Sequence, residues 1–206
     1  MTPRELPATL TPAQPVDIVW SLWRAWLELF GAPPSPKSIW LLGAQWALET
    51  GWGRACHCWN FGNVKHADGD GRCWCYFRCG EIIGGKQVWF DPPKPGACFR
   101  AFESIDEGAV EYLTFLAKHY AGAWPYVEAG DPSGFVHEIK RRGYFTAAEE
   151  PYRQAVVQIF GTFSRLPIDW SAMPRGAAEL PTPATIDYLD LLELCRAEMA
   201  AERDAG

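Results

Sequence analysis

The chain has 206 residues, of which 48% are hydrophobic, so it is predicted to fold as one globular domain with extensions. Its net charge of −6 argues against a nucleic-acid partner, because phosphate binding needs a basic surface. No run of about 18 apolar residues occurs, so no membrane span is predicted. The first fifteen residues contain several prolines and no apolar core, which indicates that they are not a signal peptide.

Residues 1–15 are predicted to form an extended arm because of their prolines. Residues 16–30 are predicted to form a helix with apolar side chains over most of its circumference, and such a helix is largely buried. One stripe along it consists of Ile18, Leu22, Trp26 and Leu29. Residues 31–36 contain three prolines and are predicted to be a loop that ends this helix.

A second helix is predicted to begin near Ser35 or Ser38, either of which can cap it, and to end before Gly51. Apolar side chains recur along it at helical spacing, at Trp40, Leu41, Ala44 and Leu48. Glu49 therefore lies in the last turn of an apolar helix, where the helix dipole and burial should both raise its pKa. A carboxyl group that stays protonated near neutral pH can act as a general acid, whereas the alternative is a solvated glutamate at a helix end.

Residues 54–98 are predicted to form a small β-lobe, because glycine and short β-prone runs replace the helical pattern. Strands are predicted at residues 74–77 and 87–90, with a hairpin turn at Gly84-Gly85. The chain has eleven tryptophans, and their rings either pack in the core or stack on sugars. The predicted core set is Trp20, Trp23, Trp40 and Trp46. The predicted groove set is Trp52, Trp59, Trp74 and Trp89.

Further helices are predicted at residues 99–120, 131–142 and 151–163. Ser104 and Glu107 have the spacing of a capping box for the first of these. The domain is thus expected to span residues 16–166, followed by a proline-rich linker at residues 167–184 and a C-terminal segment at residues 185–206. The segment is predicted to contain an acidic amphipathic helix, which folds back on the domain or docks on a protein partner.

Two strings, AQWALETGWG at residues 44–53 and NFGNVK at residues 60–65, resemble the glucosaminidase family of peptidoglycan hydrolases, a lysozyme-like group. Its helix ends in AQxALE(S/T)GWG and an Asn-Phe-Gly turn follows; Trp46 stands where the family more often has a small residue. The resemblance implies an α+β, mainly α fold: a lysozyme-like helical domain with a small cysteine-rich β-hairpin lobe. It also implies that Glu49 is the catalytic acid.

Two weaker matches extend the resemblance. EIIGGKQV at residues 81–88 is similar to the family's E-Y-x-x-G-K-x-V hairpin, which implies that Glu81 is the second carboxylate, although Ile82 replaces the tyrosine. GYFT at residues 143–146, with Tyr152 beyond, resembles the signature G-Y-x-T…Y and implies that Tyr144 positions the substrate. The alternatives are a solvated Glu81 at a hairpin edge and a Tyr144 that only packs in the core.

The resemblance implies an endo-β-N-acetylglucosaminidase that cleaves β-1,4 bonds of peptidoglycan glycan strands. The alternatives are muramidase or lytic transglycosylase activity, action on chitin, or a non-catalytic wall-binding component of a virion or injection machine. Without a signal peptide, delivery to the bacterial cell wall or periplasm would need a holin, a virion or an injection machine. A phage tail or injection machine is also a possible partner of the C-terminal helix. The predicted substrate contacts are Trp52, Trp59, Asn60, Phe61, Trp89 and Tyr152.

Six of the seven cysteines lie between Cys56 and Cys98. Three interpretations are open: disulfides that stabilise a small lobe, a structural zinc site in this cluster, or reduced thiols. The C-x-C spacing is tighter than the usual C-x2-C zinc knuckle. Cys195 is predicted to be unpaired, and no catalytic metal or other cofactor is expected.

Overall fold

The structure is a computed structural model that describes residues 2–69 and 71–176. The predicted C-terminal helix, Cys195 and residues 177–184 of the predicted linker lie outside the described residues. The described chain is mainly helical with a small β portion, which confirms the α+β, mainly α prediction. Its elements are α1 (Pro15–Phe30), α2 (Pro36–Thr50), β1 (Trp74–Tyr76), β2 (Cys79–Ile83), β3 (Lys86–Phe90), β4 (Cys98–Arg100), α3 (Ile105–His119), α4 (Trp124–Ala129), α5 (Pro132–Arg141) and α6 (Glu149–Phe163).

Helix α2 lies at the centre of the helical body and packs against α1, α4 and α6. Ser35 caps it, because its hydroxyl accepts a hydrogen bond from the Ser38 amide at 3.1 Å. Gly51 ends it in the left-handed conformation, at φ 57°. Gly43 allows α6 to approach closely, since a Cβ there would lie 2.5 Å from the Phe163 ring. The helix that carries Glu49 is therefore fixed at both ends and along its length.

Helix α3 begins later than predicted. Ser104 caps it by accepting a hydrogen bond from the Glu107 amide, as the capping-box spacing indicated, while the Glu107 carboxylate accepts one from Glu103. The residues before it form β4, which pairs antiparallel with β1 and aligns Phe99 with Cys75. The prediction of a helix from residue 99 was therefore wrong at its start, because residues 98–100 form a strand that pairs with a segment distant in sequence.

The lobe consists of two antiparallel two-stranded sheets, β1–β4 and β2–β3. The predicted hairpin turn connects β2 to β3, with φ 58° at Gly84 and 77° at Gly85, which only glycine adopts readily. A small apolar core behind β1–β4 consists of Cys58, Cys73, Cys75, Phe99 and Ala101.

All six cysteines between Cys56 and Cys98 are reduced thiols in this structure, so the disulfide interpretation is not realised here. Five of them are buried and pack as small apolar side chains. Within the described residues, no three His, Cys, Asp or Glu side chains converge in a way that could hold a metal ion.

The N-terminal arm runs along the lobe. The Leu6 amide donates to the Trp74 carbonyl at 2.7 Å, and the Cys58 amide donates to the Thr9 carbonyl at 2.8 Å. These bonds satisfy backbone groups at the edge of β1 and in the loop after α2. The arm is therefore packed as part of the lobe.

Residues 167–176, the described part of the predicted linker, pack against the helical body. The Trp170 ring lies 5.6 Å from Trp23 and 6.1 Å from Trp40, and Met173 is buried. The Trp23 indole also donates to the Pro174 carbonyl at 2.8 Å. The proline spacing alone did not predict this packing. Among the described helices, none has the length and hydropathy that a membrane crossing requires.

Candidate active site

A cleft of about 740 Å³ lies between the helical body and the β2–β3 hairpin. Four predicted site residues line it: Glu49 from α2, Glu81 from β2, Tyr144 from the loop after α5, and Tyr152 from α6. These residues are up to about a hundred positions apart in sequence, and the packing of α2 against α6 brings two of them together. The cleft is large enough for a segment of a carbohydrate chain.

The Glu49 carboxyl is tied to α6. Tyr152 donates its hydroxyl to Glu49 Oε1 at 2.6 Å, and the Tyr152 ring stacks on Phe145 at 3.8 Å between centroids. Burial raises the pKa of Glu49, and the Tyr152 hydrogen bond partly opposes that rise. The Asn63 side chain donates to the Glu49 carbonyl at 2.7 Å and so attaches the helix end to the following turn. The site thus holds an acid that retains its proton to a higher pH than a solvated glutamate does.

Tyr144 lies in the cleft wall and also makes a backbone contact. Its hydroxyl donates to the Gly62 carbonyl at 3.4 Å, and burial raises its pKa well above the usual value, so the phenol is neutral. A third tyrosine, Tyr112, is buried beneath the site and donates to Gln45 Oε1 at 2.6 Å, one helical turn before Glu49. Tyr144 therefore combines backbone bonding with a ring that lines the cleft.

The second carboxylate meets a lysine that the sequence analysis did not single out. Glu81 Oε1 lies 3.2 Å from the Lys65 ammonium, which also donates to the Gly96 carbonyl at 2.6 Å. The same ammonium stands 3.8 Å from the centroid of the Phe99 ring. Lys65 is the last residue of the NFGNVK string. Its place in that string was the one feature of the sequence that could have indicated a role in the site.

One wall of the cleft is a column of stacked rings. His57 stacks on Phe77 with centroids 4.0 Å apart, and Phe77 stacks on Phe99, also at 4.0 Å. Burial lowers the pKa of His57, so this ring is neutral near pH 7. All three line the cleft. The column could not be predicted from the sequence because its members meet only through the packing of the lobe.

The tryptophans predicted for the groove do not line the cleft. Trp52 stacks on Phe163 at 5.8 Å and belongs to the packing of α6. Trp59 packs against the start of α3, where a Cβ at Gly108 would lie 2.2 Å from the Trp59 carbonyl oxygen. Both rings are partly buried and pack against the main core, away from the lining of the cleft.

Trp74 and Trp89 also lie elsewhere. Trp74 lines a separate hollow on the lobe. Trp89 pairs with Gly80 across the hairpin, whereas Glu81 pairs with Val88. Because side chains alternate along a strand, Trp89 lies on the face opposite Glu81. It is 52% exposed there, with the Arg78 guanidinium 4.4 Å from its ring centroid.

Asn60 and Phe61 are structural. The Asn60 side-chain amide donates to the Val64 and Arg100 carbonyls, both at 2.9 Å, and its oxygen accepts from the Val64 amide. Phe61 is 1% exposed and packs on Trp46 in the core. Neither lines the cleft, whereas Tyr152 does. Of the predicted core tryptophans, Trp46 and Trp23 are buried, while Trp20 and Trp40 are partly buried.

The structure thus has a helical body, a hairpin lobe and a cleft with two carboxyl groups between them. Comparison with known proteins indicates that the chain is a glycoside hydrolase. Residues 36–165 match the model of the glucosaminidase family, described as mannosyl-glycoprotein endo-beta-N-acetylglucosaminidase. The match covers more than half of the chain, and the chain therefore belongs to the glucosaminidase family. This confirms the resemblance found in the sequence.

Two relatives are peptidoglycan hydrolases named FlgJ. The chain is 31% identical over 125 residues to the Pseudomonas aeruginosa protein, covering 57% of this chain and 30% of that one. It is 30% identical over 129 residues to the Vibrio cholerae protein, covering 58% and 35%. The chain thus spans about a third of the length of these relatives.

Two solved structures share the fold. A peptidoglycan hydrolase mutant from Sphingomonas sp. A1 aligns with a TM-score of 0.54 at 21% identity, covering 71% of this chain and 90% of that one. The catalytic domain of the autolysin Auto from Listeria monocytogenes aligns with a TM-score of 0.50 at 16% identity, covering 72% and 81%.

Proposed function

We propose that this protein is a peptidoglycan hydrolase, an endo-β-N-acetylglucosaminidase that cuts β-1,4 bonds of the glycan strand with Glu49 as general acid. The observation that carries the proposal is a carboxyl group with a raised pKa that faces the cleft and accepts a hydrogen bond from Tyr152 at 2.6 Å. The names of the two relatives support peptidoglycan as the substrate.

In the first step, Glu49 gives its proton to the glycosidic oxygen while the bond from that oxygen to the anomeric carbon breaks. Glu49 becomes a carboxylate as the proton leaves. The Tyr152 hydroxyl already points at Oε1, so its hydrogen bond strengthens as negative charge develops there. Tyr152 would therefore stabilise the transition state more than the ground state, which is the condition for increasing kcat.

Glu81 would serve the second step. As a carboxylate it can accept a proton from the water that attacks the anomeric carbon, or stabilise the positive charge on the sugar. The alternative is that the substrate's own acetamido group attacks first, which would leave Glu81 an orienting role. Tyr144 would orient the acetamido group or the water, since its neutral phenol lines the same cleft.

The cleft is not dominated by negative charge, although the chain carries a net charge of −6. Lys65 and Arg78 line it, and they pair with the Glu81 and Asp91 carboxylates. The edges of the His57–Phe77–Phe99 column offer an apolar surface for sugar CH groups. We infer that binding depends on these local contacts rather than on long-range attraction.

The test compares the wild-type protein with Glu49→Gln on purified sacculi, with reducing ends as the measured product. Glu128→Gln, which removes an exposed carboxylate on α4, is the matched control. We expect Glu49→Gln to lose nearly all activity and the control to retain it, with circular dichroism showing equal folding. Equal release by Glu49→Gln would remove Glu49 from the mechanism.

Mass spectrometry of the released fragments identifies the bond that is cut. Products with N-acetylglucosamine at the reducing end support the proposal. Products that end in N-acetylmuramic acid would indicate a muramidase, and anhydro products a lytic transglycosylase. A protein that binds sacculi but releases nothing would be a non-catalytic wall-binding component.

We propose that the site of action is the bacterial cell wall, in line with the named function of the relatives. Delivery by a holin, a virion or an injection machine stays a prediction from the sequence. The helix predicted to dock on a protein partner lies outside the described residues.

A further inference from the structure

The Lys65 ammonium connects its own turn to strand β2 and to the segment that precedes β4. It lies 3.2 Å from Glu81 Oε1 and 3.3 Å from Cys79 Sγ, both on β2, and donates to the Gly96 carbonyl at 2.6 Å. Cys79 and Glu81 lie two residues apart on the same face of the hairpin. One side chain therefore holds the hairpin on the face that carries the second carboxylate.

The hairpin has little apolar anchoring of its own. Among the described side chains of β2 and β3, none is buried, and Ile83 and Trp89 are each more than half exposed. The position of Glu81 relative to the cleft thus depends on polar contacts, of which Lys65 makes several at once.

The backbone that carries Lys65 is, in contrast, firmly attached. Asn60 bonds to both polar groups of Val64, and the Arg100 amide donates to the Val64 carbonyl at 3.0 Å. Asn63, one position earlier, bonds to the carbonyl of Glu49. The turn that carries Lys65 is therefore linked directly to the end of α2, where the acid lies.

We propose that Lys65 is a positioning residue, which fixes the Glu81 carboxylate at a set place across the cleft from Glu49. The proposal rests on the proposed function, because it assigns Lys65 a role through Glu81. It explains why a lysine stands here: a compact ammonium offers donors to separate acceptors while it lies over the Phe99 ring, 3.8 Å from the centroid. A larger planar guanidinium would keep the charge and reproduce this fit only in part.

The first measurement is the steady-state kinetics of Lys65→Met on soluble, peptide-free glycan fragments of peptidoglycan. An exposed ion pair has a modest free energy, so we expect kcat to fall by roughly 3- to 5-fold and KM to change by less than about twofold. Lys86→Met removes the same charge from an exposed position on the same hairpin and is the matched control. We expect it to keep the wild-type kcat.

The decisive measurement is a double-mutant cycle with Glu81→Gln. If Lys65 acts through Glu81, Lys65→Met lowers kcat in the wild-type background and changes it less than about twofold when Glu81 is already Gln. An equal loss in both backgrounds would overturn the proposal, because Lys65 would then act on the substrate or on folding alone.

Two further outcomes separate this proposal from the function on which it rests. If Glu81→Gln keeps full activity, the role of Glu81 itself is wrong. If Glu81→Gln loses activity while Lys65→Met does not, only the role of Lys65 is wrong. Lys65→Arg guards against a folding artefact: we expect it to restore part of the kcat lost in Lys65→Met, and a folded Lys65→Arg with no recovery counts against positioning by charge.

Discussion

Replacing Tyr152 by phenylalanine would remove the hydroxyl that donates to Glu49 Oε1 at 2.6 Å and would leave the ring stacked on Phe145. That hydrogen bond favours the ionised carboxylate and so partly opposes the rise of the Glu49 pKa that burial causes. Without it, burial acts alone and the pKa of Glu49 rises further. Since the general acid must be protonated, the alkaline limb of the activity profile should move to higher pH.

A hydrogen bond to a charged group contributes about 1.5–3 kcal/mol, and about 1.4 kcal/mol corresponds to one pH unit, so the limb should move by roughly one to two units. The assay is kcat/KM on soluble glycan fragments between pH 4 and pH 10 for wild type and Tyr152→Phe. We also expect a lower maximal rate, because the hydroxyl no longer stabilises the developing carboxylate.

Tyr112→Phe is the matched control, because it removes an equally short buried hydroxyl bond that ends on Gln45 rather than on Glu49. It should lower the free energy of unfolding and leave the alkaline limb in place. If the limb of Tyr152→Phe stays where it is in wild type, or moves to lower pH, then Tyr152 does not control the ionisation of Glu49.

Three further predictions concern stability. Burial holds the folded-state pKa of Glu49 above its unfolded value, so ionising this carboxyl at alkaline pH destabilises the folded protein. Glu49→Gln removes that cost and should raise Tm at alkaline pH, with no difference below pH 4. Calorimetry at both pH values checks this, and a lower Tm of the variant at alkaline pH would contradict it. Gly108→Ala places a Cβ 2.2 Å from the Trp59 carbonyl oxygen, so it should cost about 1–3 kcal/mol in urea unfolding, and an unchanged midpoint would contradict the close packing. Deleting residues 2–11 removes the Thr9 carbonyl to which the Cys58 amide donates, so hydrogen exchange should accelerate at Cys58; unchanged protection would contradict the packing of the arm on the lobe.

The longer helices could be predicted because their signals are local, whereas the six-residue helix α4 was missed. The apolar period along α2, its serine cap and the glycine after it all lie within about twenty residues, and each was read correctly. Strand β4 could not be predicted in the same way, since Phe99 becomes part of a strand only by pairing with Cys75. Long-range pairing of this kind leaves little trace in a single sequence.

In the site, residue type alone did not distinguish the rings that pack on the helical body from those that line the cleft. Trp52 and Trp59 were therefore assigned to the groove although they pack on the body. Trp89 is different, because the sequence did hold the answer. Pairing outward from the Gly84-Gly85 turn puts Trp89 opposite Gly80, and the two-residue alternation then excludes it from the face of Glu81.

The family match begins at residue 36 and so leaves out α1 and everything before it. Yet Leu22 and Leu27 of α1 are fully enclosed, and α1 packs along α3 and α2. An expression boundary drawn at the start of the match would open the interior on one side and remove the backbone neighbours of the lobe. A truncated sample with poor solubility or no turnover would then report on where the chain was cut and would say nothing about its chemistry.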